Sequence, residues 1–172
     1  MAKNILIFTG NGKGKSTAAF GMALRAAGHD QRILVLQFLK SDDSTGELVG
    51  CKQLGIEVKQ VGRGFVPKKD NPAYRDHQKA AEAGFEQAIN AMQGGEYDLL
   101  VLDEICGTVA LGLLDEDVVL NAIRNSSDLI NVVLTGRNAS PPMIELADTV
   151  SEMVPHKHAL EAGKPAREGV EF

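Results

Sequence analysis

Cysteine occurs only at Cys51 and Cys106, widely separated, with no C-x-x-C spacing and no histidine at metal-ligand intervals. That scarcity excludes a disulfide framework and a thiolate metal site, so both residues read as reduced thiols in or near the core. Positive charge is not in excess: 18 Lys and Arg against 23 Asp and Glu leave a net charge of −5. A general nucleic-acid binder is usually basic, and that class is set aside. No apolar run approaches the roughly 18 residues of a membrane span, and no charged-then-apolar leader opens the chain. Tryptophan is missing altogether, and there is no internal repeat or low-complexity stretch. What is present, 44% apolar and 24% charged residues, is ordinary for a globular protein. The expectation is a single cytoplasmic domain over residues 1–172, with no membrane and no nucleic-acid partner.

Apolar runs alternate with helical patterns along the whole chain. Strands are expected at Asn4–Phe8, Arg32–Phe38, Ile56–Val61, Tyr97–Asp103, Asn131–Leu134 and Thr149–Val154. The fourth reads as buried on both faces, the third as more exposed, and the last as an edge. Helices are expected at Ser16–Ala27, ended by Gly28 as a C′ glycine, and at Ala73–Met92, entered through Pro72 at N1. Gly94-Gly95 breaks the second helix. Two more follow at Asp115–Arg124, entered through acidic residues that suit a helix N-terminus, and at Pro141–Ala147. Ser41–Gly50 and Gly62–Asn71 read as long loops near the carboxyl ends of strands, where ligands bind in parallel sheets. The alternation gives an α/β fold class, a predominantly parallel sheet with helices on both faces, and the glycine-rich G-N-G-K-G-K-S after the first strand makes it a RecA-like P-loop NTPase type.

The stretch T-G-N-G-K-G-K-S-T, Thr9 to Thr17, follows the first strand directly. Gly14, Lys15 and Ser16 close the pattern G-x-x-x-x-G-K-[ST], but Thr9 stands where its first glycine belongs. Glycines at 10, 12 and 14 allow backbone N–H groups to approach phosphate oxygens, and the loop opens into a positive helix N-terminus. Lys15 supplies a point charge to phosphate, and the Ser16 hydroxyl is a ligand for Mg²⁺. Leu99–Glu104, LLVLDE, delivers Asp103 and Glu104 at the end of a buried strand, the second NTPase signature; either acid can serve the metal. Arg137, ending another strand at the same sheet edge, reads either as a phosphate sensor or as a solvated loop arginine. Arg63, Lys68 and Lys69 make the 62–71 loop locally basic. No guanine-binding N-K-x-D is present, which favours ATP. His29, His77, His156 and His158 form no nucleophile–base arrangement, and no arginine-bearing lid stands out. The residues alone reach a Mg-nucleotide-binding α/β enzyme with no evident base.

The sequence from Thr9 to His29, followed by V-L-Q-F-L-K, resembles the P-loop type of ATP:cob(I)alamin (corrinoid) adenosyltransferase, whose members open with a near-identical TGNGKGKTTAAFG. The similarity continues through Val58–Phe65 (VKQVGRGF), Tyr97–Glu104 (YDLLVLDE), Val133–Arg137 (VLTGR) and Leu146–Glu152 (LADTVSE). It ends with His158-Ala159, Ala162-Gly163 and Gly169-Val170-Glu171-Phe172, so it spans the whole chain in order, and Thr9 belongs to the family pattern.

The resemblance implies that the nucleophile is Co(I) in a corrin ring, attacking the 5′ carbon of ATP so that triphosphate leaves whole. No proton is removed, which accounts for the missing base. ATP is then held reversed relative to ordinary P-loop enzymes. Carried over by position, Lys15 and Phe65 are the catalytic residues. Nucleotide and cofactor contacts are Thr9, Gly10, Asn11, Gly12, Lys13, Gly14, Lys15, Ser16, Thr17, Arg25, Phe65 and Arg137. The metal ligands are Ser16 with Asp103 or Glu104, Ser16 and Glu104 being preferred, and the ion is Mg²⁺ or Mn²⁺. The resemblance also implies a corrinoid substrate, an electron donor such as reduced flavin or a flavodoxin-like protein, and a homodimer. Where the family has a tryptophan two residues beyond this phenylalanine, the chain has Pro67. A P-loop ATPase or small-molecule kinase, or a non-catalytic ATP- and corrinoid-binding regulator, are the alternative readings.

Overall fold

The computed structural model describes residues 3–42, 44–159 and 163–170. Its elements run β1 (Ile5–Thr9), α1 (Lys15–Ala27), β2 (Ile33–Gln37), α2 (Gly46–Gln53), β3 (Glu57–Gln60) and α3 (Tyr74–Gly94). They continue β4 (Leu99–Asp103), α4 (Ile105–Ala110), α5 (Glu116–Arg124), β5 (Asn131–Thr135), α6 (Pro141–Leu146) and β6 (Thr149–Glu152). The strands form one six-stranded sheet in the order β3-β2-β4-β5-β1-β6, and every pairing is parallel. β2 and β4 are buried at every residue, because helices cover both faces of the sheet there; such strands read as continuous apolar runs. β3 and β6 are the edges, short and mostly exposed.

The loop strand β1 and the acid strand β4 are separated by one strand, β5. That RecA-like order brings the carboxyl ends of all three, Thr9, Asp103 and Thr135, to one edge of the sheet. On one face, α1 lays Ala19, Ala23 and Ala26 against Ile33, Val35, Val101 and Val133, with Cys51 of α2 beside them. On the other, α3 buries Ala81, Phe85, Ala88 and Met92 against Leu34, Leu36, Leu100 and Leu102, with α4, α5 and α6 completing the cover. Each fully buried leucine contributes about 1.5–3 kcal/mol relative to exposure. Both cysteines are buried and free, as expected. No helix among the described residues is long and apolar enough to cross a membrane.

Three local expectations are corrected, and one helix is added. Ser41–Gly50 is not all loop, since α2 begins at Gly46. Its glycines and its lack of an apolar stripe, with only Cys51 buried, hid it. α4 follows β4 at once, a short helix beyond the Asp103 strand end for which the sequence carried no expectation. Pro72 is not at N1: α3 starts at Tyr74, and Asn71 caps the preceding turn by accepting the Ala73 N–H at 2.9 Å. Gly28 ends α1 in the right-handed region (φ −64°), and the left-handed residue is Asp30 (φ 56°).

Candidate functional site

The loop between β1 and α1 is shaped from behind. Met153, just beyond β6, donates its N–H to the Thr9 carbonyl at 2.8 Å and accepts the Gly12 N–H at 2.6 Å. A Cβ on Gly10 or Gly12 would lie 2.5 and 2.7 Å from the Met153 carbonyl oxygen, so both glycines are required by this strap. Gly14 differs: its nearest neighbour is the Met153 sulfur at 3.9 Å, and its φ of 115° needs a glycine. It stands at the N-cap of α1 with no capping side chain, which leaves the first-turn amides free of intrahelical partners.

A cleft of about 390 Å³ opens over that helix end, lined by Lys13, Gly14, Lys15, Ser16 and Thr17 from the loop and Glu104 from the acid strand. Phe20, Lys40, Gly46, Glu47, Gly169 and Val170 close the rest. Lys15 is only 7% exposed and donates from Nζ to the Gly12 carbonyl at 2.8 Å. Burial lowers its pKa; Glu104 opposes that shift, the Arg137 charge reinforces it and Asp103 opposes it. A second space of about 400 Å³ shares Lys15 and Glu104 and adds Leu39, Gly107, Ala110, Leu111, Arg137 and Asn138.

The two acids are placed differently. Asp103 is fully buried; its Oδ1 accepts from the Thr135 hydroxyl at 2.8 Å and its Oδ2 from the Gln37 amide at 3.2 Å. The same Thr135 oxygen accepts the Glu104 N–H at 2.8 Å, and Thr108 donates its hydroxyl to the Glu104 carbonyl at 2.8 Å. These bonds hold Glu104 at φ 65°, a conformation that costs a non-glycine residue roughly 1–2 kcal/mol. The left-handed turn puts the Glu104 carboxylate, not that of Asp103, on the cleft wall. Burial pushes the Glu104 carboxyl up, Asp103 adds to that, and Lys15, Lys40 and Arg137 pull the other way. Ser16 and Glu104 offer hard oxygens suited to Mg²⁺. Among the described residues no three His, Cys, Asp or Glu side chains form a metal cage. A cation here would therefore share protein oxygens with ligand phosphates, the usual mode for Mg²⁺.

The sequence-derived set is thus only partly gathered. Lys13, Gly14, Lys15, Ser16, Thr17 and Glu104 line one cleft, and Arg137 lines the space beside it. Thr9 and Gly10 lie behind the loop, and the Thr9 hydroxyl accepts the Ala139 N–H at 3.3 Å. Gly12 spends its N–H on the strap, and Asn11 is exposed at the loop tip, outside the cleft lining. Arg25 is ten residues along α1 from Lys15 and lines a different cavity, with Asn4, Met22, His29 and Asn131 at the opposite end of the sheet. Phe65 projects from the 62–71 loop at 95% exposure, while Val66 packs on the core. Lys40 and Glu47 were not anticipated. A lysine three residues beyond a buried strand, at the edge where β1 and β4 also end, was the available signal for the first. The tail residues Gly169 and Val170 do reach the cleft; Ala162, Glu171 and Phe172 of the quoted motif lie outside the described residues.

Comparison with known proteins agrees with this geometry. The chain matches the family ATP:corrinoid adenosyltransferase BtuR/CobO/CobP over residues 2–172. It is 43% identical over 170 residues to a corrinoid adenosyltransferase of Pseudomonas aeruginosa, covering 98% of this chain and 83% of that one. It is 37% identical over 169 residues to the corrinoid adenosyltransferases of Escherichia coli K12 and Salmonella typhimurium, covering 98% of this chain and 85% of each. The chain belongs to the BtuR/CobO/CobP family of ATP:corrinoid adenosyltransferases, enzymes that move the adenosyl group of ATP onto a corrinoid.

Proposed function

We propose that the cleft holds the triphosphate of ATP as a leaving group while a Co(I) corrinoid, cobalamin or a cobinamide-type precursor, attacks the ribose C5′. The cobalt electron pair forms the Co–C bond as the C5′–O bond breaks, and those electrons leave with inorganic triphosphate. No proton is transferred, so no base is required. The first-turn amides of α1 and the Lys15 ammonium bind the phosphate oxygens in fixed positions before the charge develops. Ser16 and Glu104 would hold Mg²⁺ or Mn²⁺, which neutralises the departing phosphates. Asp103 is left out of the ligand set because its two oxygens are already spoken for; it fixes Thr135 and through it Glu104. Arg137 serves as an anion contact from the adjoining space, and the exposed ring of Phe65 meets the corrin. Thr9 and Arg25 are assigned no contact. An electron donor, reduced flavin or a flavodoxin-like protein, supplies Co(I), and the protein works as a cytoplasmic homodimer of single domains.

The observation that carries this reading is the convergence of Lys15, Ser16 and Glu104 on one cleft in a chain of this family. Anaerobic incubation with Co(I) corrinoid, Mg²⁺ and ATP should bleach the Co(I) absorption and release triphosphate. Formation of ADP or phosphate with the Co(I) signal intact would instead make it an ATPase or kinase. Lys15→Ala should cut turnover at least about 10²-fold without unfolding the protein, as removal of a preorganised charge donor does elsewhere.

A further inference from the structure

Lys40 has no part in the chemistry assigned to Lys15, Ser16 and Glu104, yet it lines the same cleft. It follows β2 by three residues, at the edge where β1 and β4 also end. Its ammonium lies 2.6 Å from Glu47 Oε1 and 3.8 Å from Asp103 Oδ2. Glu47, in the first turn of α2, lines the cleft as well. Burial is the largest influence on the Glu47 carboxyl and pushes it up; the Lys40 hydrogen bond, a backbone hydrogen bond, the Lys40 charge and Gln37 together outweigh it, so the group lies below its ordinary value.

The arrangement is not that of a surface ion pair. Both side chains are about a quarter to a third exposed, and both line the cleft. An unneutralised Glu47 there would repel any polyphosphate that entered. Asp103 does not explain Lys40 either, since its oxygens already accept from Thr135 and Gln37. A lysine has three donors, and one bond to Glu47 leaves donors for an entering anion.

We propose that Lys40 is a second phosphate-binding cation of this site, with Glu47 the positioning residue that holds its ammonium at the cleft wall. This rests on reading the cleft as a triphosphate site. Occupancy then ties three parts of the chain to one ligand: the loop through Lys15, β4 through Glu104, and α2 through Glu47 and Lys40.

The test measures binding of inorganic tripolyphosphate with Mg²⁺ by calorimetry, on wild type, Lys40→Met, Lys40→Arg, Glu47→Gln and the Lys40→Met/Glu47→Gln pair. Lys40→Met should weaken binding on the order of 10- to 100-fold, the range of a charge-assisted hydrogen bond. Lys40→Arg should restore most of the affinity. In steady state, Lys40→Met should raise KM for ATP and leave KM for corrinoid unchanged. The Lys40→Met penalty should be smaller, yet still severalfold, in the Glu47→Gln background, which is the coupling expected of a positioning partner. Wild-type affinity in a folded Lys40→Met protein overturns the proposal. If Lys40→Met fails to fold because it strands two carboxylates, the double variant decides, and affinity equal to that of Glu47→Gln overturns it. The probe contains no adenosine and no corrinoid. Lys40 can therefore fail while the transferase reading stands, and hold while that reading falls.

Discussion

Replacing Thr135 by valine removes one hydroxyl and leaves the side-chain volume nearly unchanged, so its effect isolates two hydrogen bonds. The hydroxyl donates to the buried Asp103 carboxylate and accepts the Glu104 N–H, each at 2.8 Å. A hydrogen bond to a charged group is worth about 1.5–3 kcal/mol, and stranding a buried N–H costs about 1–3 kcal/mol. The two share one atom and will not add fully, so Thr135→Val should cost roughly 3–5 kcal/mol. Against a typical domain stability of about 5–15 kcal/mol, that is a large fraction. Thr135→Ser keeps the hydroxyl and loses one methyl, for about 0.8 kcal/mol. Urea unfolding at pH 7 measures both, the midpoint moving with the slope unchanged. In the folded fraction, Mg-ATP affinity should fall, because Glu104 then keeps only the Thr108 bonds to its carbonyl and its amide is no longer held in the left-handed turn. A valine variant as stable as wild type would refute the reasoning, since Thr135 would then be an ordinary core residue.

Three further outcomes follow from the geometry. Gly12→Ala should destabilise by several kcal/mol and detach the strap, because its Cβ meets the Met153 carbonyl at 2.7 Å, whereas Gly21→Ala in α1, with nothing within 4 Å, should stabilise by about 0.4–1 kcal/mol in thermal unfolding. Asp98, paired with Arg32 at 2.9 Å, has its pKa pulled down to about 2 by hydrogen bonds from Arg32. A depressed carboxylate contributes stability above its unfolded pKa and loses it as pH falls through the folded one. Asp98→Asn should thus cost about 0.5–1 kcal/mol at neutral pH, discounted for exposure, and progressively less from pH 4 towards 2 in unfolding titrations. Phe65→Ala should change stability by less than about 0.5 kcal/mol, its ring being 95% exposed, and slow cobalt alkylation without weakening ATP binding in calorimetry.

The sheet was legible in the sequence because its central strands, LLVLD and ILVLQ, are short continuous apolar runs rich in branched residues, as doubly covered parallel strands are. The long amphipathic α3 was legible for the matching reason, an apolar stripe at Ala81, Phe85, Ala88 and Met92. α2 carries no such stripe, so tertiary context alone makes it a helix. Lys15, Ser16 and the acid pair Asp103-Glu104 could be placed at one edge of the sheet in advance, because spacing from a strand end fixes where they stand. The identity of the wall-facing acid could not, since it depends on the left-handed backbone of Glu104 and on a threonine 31 residues away. Arg25, carried over with the family pattern, stands near the far end of the 13-residue α1 and lines a cavity at the opposite end of the sheet.

The glycines of the loop make the same point about cause. Glycines at 10, 12 and 14 look alike in the sequence, all explicable by phosphate approach. The structure divides them, since two clear a path for the Met153 backbone and only Gly14 lies under the cleft. Thr9, the residue that breaks the consensus, belongs with the first two. Its carbonyl accepts from Met153 and its hydroxyl from the Ala139 N–H, so it joins the segments beyond β6 and β5 to the loop base. Both segments are backbone-anchored, which fixes the loop before any nucleotide arrives. A phosphate site whose donors are already in place need not spend binding energy ordering them. The rigidity that would suit a leaving-group cradle is therefore supplied from behind the loop, by Thr9 and the backbones of Met153 and Ala139.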